Sequence, residues 1–219
     1  MEAFLATETI FFTSADGLSL EGRLAIPEDR PPKGGVILCH PHPQYGGSMS
    51  SKLIPALQRA LVGAGWAALR FNFRGVGRSQ GSFEGGGGEV GDVRGALATV
   101  RAAVSEPTAV VGWSFGALVA LNAVAGDPGV AAYAGVAPPV RAAFEGTFEV
   151  PQVAALDSWK ARALLVCGTT DPFCRPDDLR ALAGRLPSAD VRVVEGADHF
   201  FTDHTDELAA IVTGFLEEA

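Results

Sequence analysis

Short, largely apolar runs, uninterrupted in Gly35 to Cys39, alternate along this chain with stretches of helical period. The runs are Gly35 to Cys39, Trp66 to Phe73, Thr108 to Trp113, Val130 to Val136, Arg162 to Gly168 and Val191 to Glu195. Runs apolar on both sides of the pleat suit strands covered on both faces. Between them, Ser51 to Ala64 places Leu53, Ala56, Leu57, Ala60 and Leu61 on one helical face, with Gly63 and Gly65 as the stop. Helices are also predicted over Glu89 to Ser105, Ala117 to Ala125, Pro176 to Leu186 and Thr205 to Glu218. At the start, Glu8 to Thr13 and Leu18 to Ala25 flank Ala15-Asp16-Gly17, a hairpin signal. The expected fold is α/β: a mostly parallel, doubly wound sheet with helices on both faces, right-handed crossovers and an antiparallel N-terminal hairpin. No repeat or linker interrupts it, so residues 1–219 read as one domain.

Composition narrows the classes. A formal net charge of −8 and the lack of Lys/Arg-rich runs argue against a nucleic-acid partner. Hydrophobic residues at 47% and charged residues at 19% describe a globular chain. Ala109 to Gly126 carries no charge, but its glycines and Asn122 favour a buried strand and helix over a membrane span. Met1 to Phe12 has Glu2 and Glu8 where a signal peptide has basic residues, so a cytoplasmic location is expected. Of three cysteines, Cys39 and Cys167 fall in strand runs and read as reduced and buried. Cys174 either has a structural role or lines a site.

The chemistry is carried by Gly112-Trp113-Ser114-Phe115-Gly116, a G-x-S-x-G between a strand and a helix. That context defines a nucleophile elbow, a tight strained turn that presents a serine at a helix N-terminus. The flanking glycines are needed because a Cβ there would collide with strand and helix. With 27 glycines the pattern also recurs as Gly77-Arg78-Ser79-Gln80-Gly81, which runs into a glycine-rich loop, Gly75 to Gly88, expected to be mobile. Ser79 therefore reads as a loop serine. A serine nucleophile needs a base, itself oriented by an acid, in the chain order Ser, Asp/Glu, His. Asp171 and His199 each lie just past a strand, at the sheet edge where sites form. Asp157, Asp198 and Asp203 are the rival acids; Asp198 adjoins His199 and points to the opposite side.

Leu38-Cys39-His40-Pro41-His42-Pro43, Gly46-Gly47-Ser48-Met49 and Arg70 to Ser79 complete a pattern running from about Phe11 to Phe215. With the Ser-Asp-His order, it resembles the α/β-hydrolase superfamily, and within it the small, capless, dienelactone-hydrolase-like bacterial serine hydrolases. Dienelactone hydrolases proper carry cysteine at the elbow, where this chain has Ser114. Many relatives have His-Gly after the third strand, where this chain has His40-Pro41. The resemblance implies an oxyanion hole from two backbone N–H groups, of Phe115 and of a residue in the loop after the third strand. Proline has no N–H, so Pro41 and Pro43 are excluded. His42 matches the family position and Gln44 is the fallback. The stretch from Pro139 to Lys160 is too short for the large cap of many relatives, which implies an open site. Trp113, Phe173 and Phe200 are substrate-pocket candidates; Phe144, Phe148, Trp159 and Phe201 either join them or staple core and loops.

His40 and His42, two apart in extended chain, have no third ligand nearby, so they read as loop-shaping residues and no metal is expected. No organic cofactor is implied. The expected function is cleavage of carboxylic esters, with short acyl groups favoured, through an acyl-enzyme on Ser114. A small acyl compound is the expected partner, and nothing in the pattern sets the oligomeric state. The same machinery serves a peptidase or amidase, a thioesterase or an acyltransferase; a non-catalytic binding protein is the remaining alternative. A haloalkane dehalogenase would need a carboxylate at position 114.

Overall fold

A computed structural model describes residues 7–104, 107–125, 127–141, 156 and 159–218. Its strands are β1 (Thr7–Thr13), β2 (Ser19–Ala25), β3 (Gly35–Cys39), β4 (Ala67–Phe71), β5 (Thr108–Trp113), β6 (Ala132–Val136), β7 (Arg162–Gly168) and β8 (Ala189–Val194). The helices are α1 (Leu53–Gly63), α2 (Gly87–Ala103), α3 (Phe115–Ala125), α4 (Pro176–Ala183) and α5 (Thr205–Glu217). The strands form one eight-stranded sheet in the order β1-β2-β4-β3-β5-β6-β7-β8. β1 pairs antiparallel with β2, and β2 antiparallel with β4; every later pairing is parallel. This is the doubly wound α/β fold with an N-terminal hairpin that the pattern predicts.

The core lies on both faces. Alternate residues of β3 point opposite ways: Ile37 and Cys39 pack with α2 and α3, and Val36 and Leu38 with α1 and α5. Two-sided burial explains why β3, β4, β5 and β6 are buried at every position, while the edge strand β8 alternates along most of its length. The chain moves outward from β3 to β4 and then crosses back to β5. The carboxyl ends of β3 and β5 are therefore neighbours, with Cys39 paired to Gly112. A crevice opens at such a reversal, and the loops leaving both strands converge there.

Several boundaries shift for tertiary reasons. β4 stops at Phe71 because the ladder runs out just past it: Asn72 N–H still donates to Glu21 O of β2, but Phe73 N–H is taken by the His40 ring. β6 starts at Ala132 because Val130 N–H closes a turn onto Asp127 O. α2 starts at Gly87, two residues early, because the Glu89 carboxylate accepts the Gly86 N–H and caps it. α4 ends at Ala183, where Arg185 and Leu186 close tighter i→i+3 bonds. Among the described residues, no helix is long and apolar enough to cross a membrane.

Candidate active site

Ser114 is the single residue between β5 and α3. Its φ is +56°, a left-handed value that strains any side-chain-bearing residue. Two backbone bonds sustain it: Ser114 N–H donates to Val136 O at 2.8 Å, and Ala117 N–H donates to Ser114 O at 2.9 Å. The glycines are sterically required. A Cβ on residue 112 would lie 2.5 Å from Ala117 Cα, and one on residue 116 would collide with the carbonyl oxygens of Cys39 and His40.

Three side chains from different loops meet here. His199 Nε2 lies 3.0 Å from Ser114 Oγ, and His199 Nδ1 lies 2.8 Å from Asp171 Oδ2. All three residues are buried. A carboxylate only accepts, so the Nδ1 proton faces Asp171 and the Nε2 lone pair faces the serine hydroxyl. The other Asp171 oxygen accepts the N–H groups of Phe173 (2.7 Å) and Cys174 (3.0 Å), which fixes the carboxylate. Trp113 Nε1–H donates to His199 O at 3.1 Å and anchors the histidine loop to the elbow strand. The rival Asp198 is spent locally on the N–H groups of Phe200 and Thr202 and on the Thr202 hydroxyl. Asp157 lies outside the described residues, and Asp203 makes no bond to His199.

The loop after β3 reaches the same place. Phe115 is the first residue of α3, so its N–H has no carbonyl to meet within the helix. His42 caps a 3-10 turn, Pro43–Tyr45, its Nδ1 accepting the Gln44 N–H at 3.2 Å. That bond occupies the fallback donor. The His42 ring packs at 4.8 Å on Phe115 and at 4.9 Å on Phe83. His40 serves the scaffold: its Nδ1 meets Pro41 O at 2.6 Å, and its Nε2 accepts the Phe73 N–H at 3.1 Å. Burial pushes the His40 imidazole down to about 4, so it is neutral near pH 7.

A cavity of about 620 Å³ opens over Ser114. Trp113, Phe173 and Phe200, the aromatics singled out in the sequence, line it beside His199. Phe201 and Trp159 do not. Phe201 is fully buried and belongs to the α1/α5 side of the core, and Trp159 packs edge-on against Tyr133 at 5.5 Å. Phe144 and Phe148 lie outside the described residues. The opposite wall, Tyr45, Gly46, Gly47, Ser51 and Lys52, was not foreseen; its one signal was an aromatic three residues after His42. Cys174 is fully buried and not part of the lining. Its hydrogen bond to Cys167, together with burial, pushes its pKa up, so it stays a thiol. Ser79 ties the loop after β4 to β2: its hydroxyl donates to Asn72 O at 2.7 Å and accepts the Glu21 N–H at 3.0 Å. Hydrogen bonds and ion pairs also cross the glycine-rich stretch after it, where mobility was expected.

The geometry has close parallels among known proteins. Residues 35–163 match the model of the alpha/beta hydrolase fold family. The protein RP471 of Rickettsia prowazekii (strain Madrid E) is 32% identical over 217 residues, covering 94% of this chain and 87% of that protein. The structure of an alpha-beta serine hydrolase homologue from Coxiella burnetii superposes with a TM-score of 0.84 at 32% identity, covering 99% of this chain and 100% of the other. XC6422 from Xanthomonas campestris, described as an a/b serine hydrolase without lid, gives a TM-score of 0.81 at 28% identity, covering 97% and 94%.

Proposed function

This chain belongs to the alpha/beta hydrolase family, and from that premise we propose that it cleaves carboxylic esters of small acyl compounds through an acyl-enzyme on Ser114. The observation that carries the reading is the continuous hydrogen-bonded line Ser114 Oγ, His199 Nε2 and Nδ1, Asp171 Oδ2, at 3.0 and 2.8 Å. Ser114 Oγ attacks the ester carbonyl carbon and its proton passes to His199 Nε2. Asp171 keeps the imidazole in the required tautomer and stabilises the imidazolium that forms. The carbonyl oxygen becomes an oxyanion, held by the N–H groups of Phe115 and His42; a donor of this kind is worth roughly 3–4 kcal/mol in the transition state. Collapse expels the alcohol, which takes the proton from His199. Water then repeats the sequence on the acyl-enzyme and releases the acid. The aromatic walls beside His199 would receive a short acyl or alcohol group by burial of apolar surface.

The test is a panel of p-nitrophenyl esters, acyl-coenzyme A thioesters and aminoacyl anilides, with Ser114→Ala as the blank. Esters should be turned over with the highest kcat/KM, and the blank should be at background. A higher kcat/KM on thioesters or anilides would reassign the substrate class. Product partition with an added alcohol or amine acceptor would expose an acyltransferase. Failure of a fluorophosphonate to label Ser114 would leave only a binding role.

A further inference from the structure

Behind the loop that carries His42 lies a set of buried charges the acyl chemistry does not use. Arg74, Glu89 and Asp92 are all buried. Arg74 directs Nε and Nη2 to Asp92 at 3.1 and 2.8 Å and Nη1 to Glu84 at 2.8 Å, while its backbone N–H donates to Asp92 at 2.9 Å. Burial disfavours both charges, and it holds the Asp92 carboxyl above its usual range. Such a cluster is a poor source of stability, since apolar packing of the same volume does as well or better. What it does is fix a segment of chain. The Glu89 carboxylate accepts the N–H groups of Glu84 (2.9 Å) and Gly86 (2.8 Å), clamping the backbone just after Phe83. On the other side, Gly75 packs so closely that a Cβ there would lie 3.0 Å from Ser82 Cα.

Phe83 is thus held from both ends, and its ring meets the oxyanion loop. It lies 4.9 Å from the His42 ring and 5.7 Å from the Phe115 ring, and those two rings are 4.8 Å apart. We infer that Phe83 is a positioning residue: held by the Arg74–Glu89–Asp92 cluster, it wedges against His42 and Phe115 and sets the separation of the two backbone N–H groups that receive the oxyanion. The inference rests on the acyl-transfer reading above. Donors act only within about 2.7–3.1 Å of the oxyanion, so a small shift of the His42 loop costs rate without unfolding it. The loop keeps its own turn, since Tyr45 and Gly47 N–H both donate to His42 O. Removing the Phe83 ring therefore changes where the turn sits, not whether it forms.

The experiment compares an aryl ester with its thionoester, whose C=S accepts hydrogen bonds weakly, on wild type, Phe83→Ala and Phe83→Leu. Phe83→Ala should lower kcat on the oxoester by about tenfold or more with KM within about twofold, and lower the thionoester rate far less. The oxo/thiono ratio then falls about tenfold, while Phe83→Leu keeps most of it. Glu89→Gln should lower the same ratio, but add nothing further in the Phe83→Ala background, because both act through one wedge. An equal loss on both esters, an unchanged ratio, or additive Glu89→Gln and Phe83→Ala effects would overturn the inference; thermal unfolding identifies a variant that merely fails to fold, and if that is Phe83→Ala, an unchanged ratio in folded Glu89→Gln overturns the inference. If wild type is labelled at Ser114 yet cleaves no ester, the ester reading fails alone. Labelling rates for a fluorophosphonate and its P=S counterpart then give the same ratio. If Ser114 is not labelled either, both fall.

Discussion

Gly116 and His40 touch through backbone alone: the His40 carbonyl fills the space that a Cβ on residue 116 would take. The contact joins the first turn of α3 to the loop leaving β3. Those are the two segments that carry Phe115 and His42. Gly116→Ala must push them apart. Overpacking of this kind costs about 1–3 kcal/mol, and kcat on an ester should fall about tenfold or more as the donors separate. Gly214→Ala is the control, because a Cβ there meets nothing within 4 Å and alanine suits the interior of α5. Thermal unfolding and kcat should both be at or above wild type for Gly214→Ala. Equal behaviour of the two variants would show that the contact is slack.

The serine of the second G-x-S-x-G ties the loop after β4 to β2. Ser79→Ala loses the bonds to Asn72 O and Glu21 N–H. The expected cost is about 1–2 kcal/mol of stability, read from urea unfolding. Ester turnover should stay above about half of wild type, because the clamps on Phe83 do not involve Ser79. Loss of turnover in a folded Ser79→Ala enzyme would move the nucleophile away from the elbow.

With Asp171→Asn the imidazole loses the acceptor for its Nδ1 proton, and kcat should drop by roughly 10³–10⁴, as in the serine proteases. Asp198→Asn is the comparison, since that carboxylate serves only its own turn. A dead Asp198→Asn beside an active Asp171→Asn would exchange the two roles.

How far the sequence led depends on which forces set each feature. β3, β5 and β7 begin and end where the largely apolar runs do, because strands covered on both faces need most of their side chains apolar. The meeting of Ser114, Asp171 and His199 was legible from their order and from the strand each follows. β8 was read two residues late because its start is set by pairing with β7, Ala163 against Ala189, which no local pattern records. Phe200 and Phe201 look alike in sequence. The left-handed φ of +50° at Phe201 turns its ring into the core, while Phe200 stays at the cavity. The Tyr45–Lys52 wall was missed because hydropathy says which residues are loop, not which way a loop faces. The buried Glu89 and Asp92 were hidden by their type, since carboxylates default to the surface.

His40 supplies a pH test. Its folded-state pKa is about 4, against an ordinary value of 6.5. Folding therefore excludes a proton that the unfolded chain binds. The stability this represents is fully present above pH 6.5 and is lost as pH falls toward 4, to a total of about 3 kcal/mol. Urea unfolding of wild type at pH 7 and pH 4.5 should show the loss. In His40→Gln, which keeps a donor and an acceptor but cannot titrate, the drop between the two pH values should be smaller by most of that amount. Identical pH profiles would mean that His40 takes up its proton as readily in the folded chain as in the unfolded one.

On the ester reading proposed above, acyl length should be decided at the cavity mouth. Tyr45 is 69% exposed and Phe200 56% exposed, so the aromatics at the edge of the cavity stand in water on one side. A methylene fully buried gains about 0.8 kcal/mol, close to fourfold in affinity, but one lying along a wetted ring gains only part of that. The first carbons of an acyl group meet the buried Trp113 beside His199, and later ones reach the wetted rings of Phe173, Phe200 and Tyr45. kcat/KM on p-nitrophenyl esters should therefore rise to an optimum at about two to six carbons and then level or fall. No jump is expected where a substrate passes its critical micelle concentration, because the stretch from Pro139 to Lys160 is too short for a large cap that an interface could open. A kcat/KM that climbs another tenfold from butyrate to dodecanoate would place a long, dry groove behind Phe200 and make the enzyme a lipase or long-chain thioesterase.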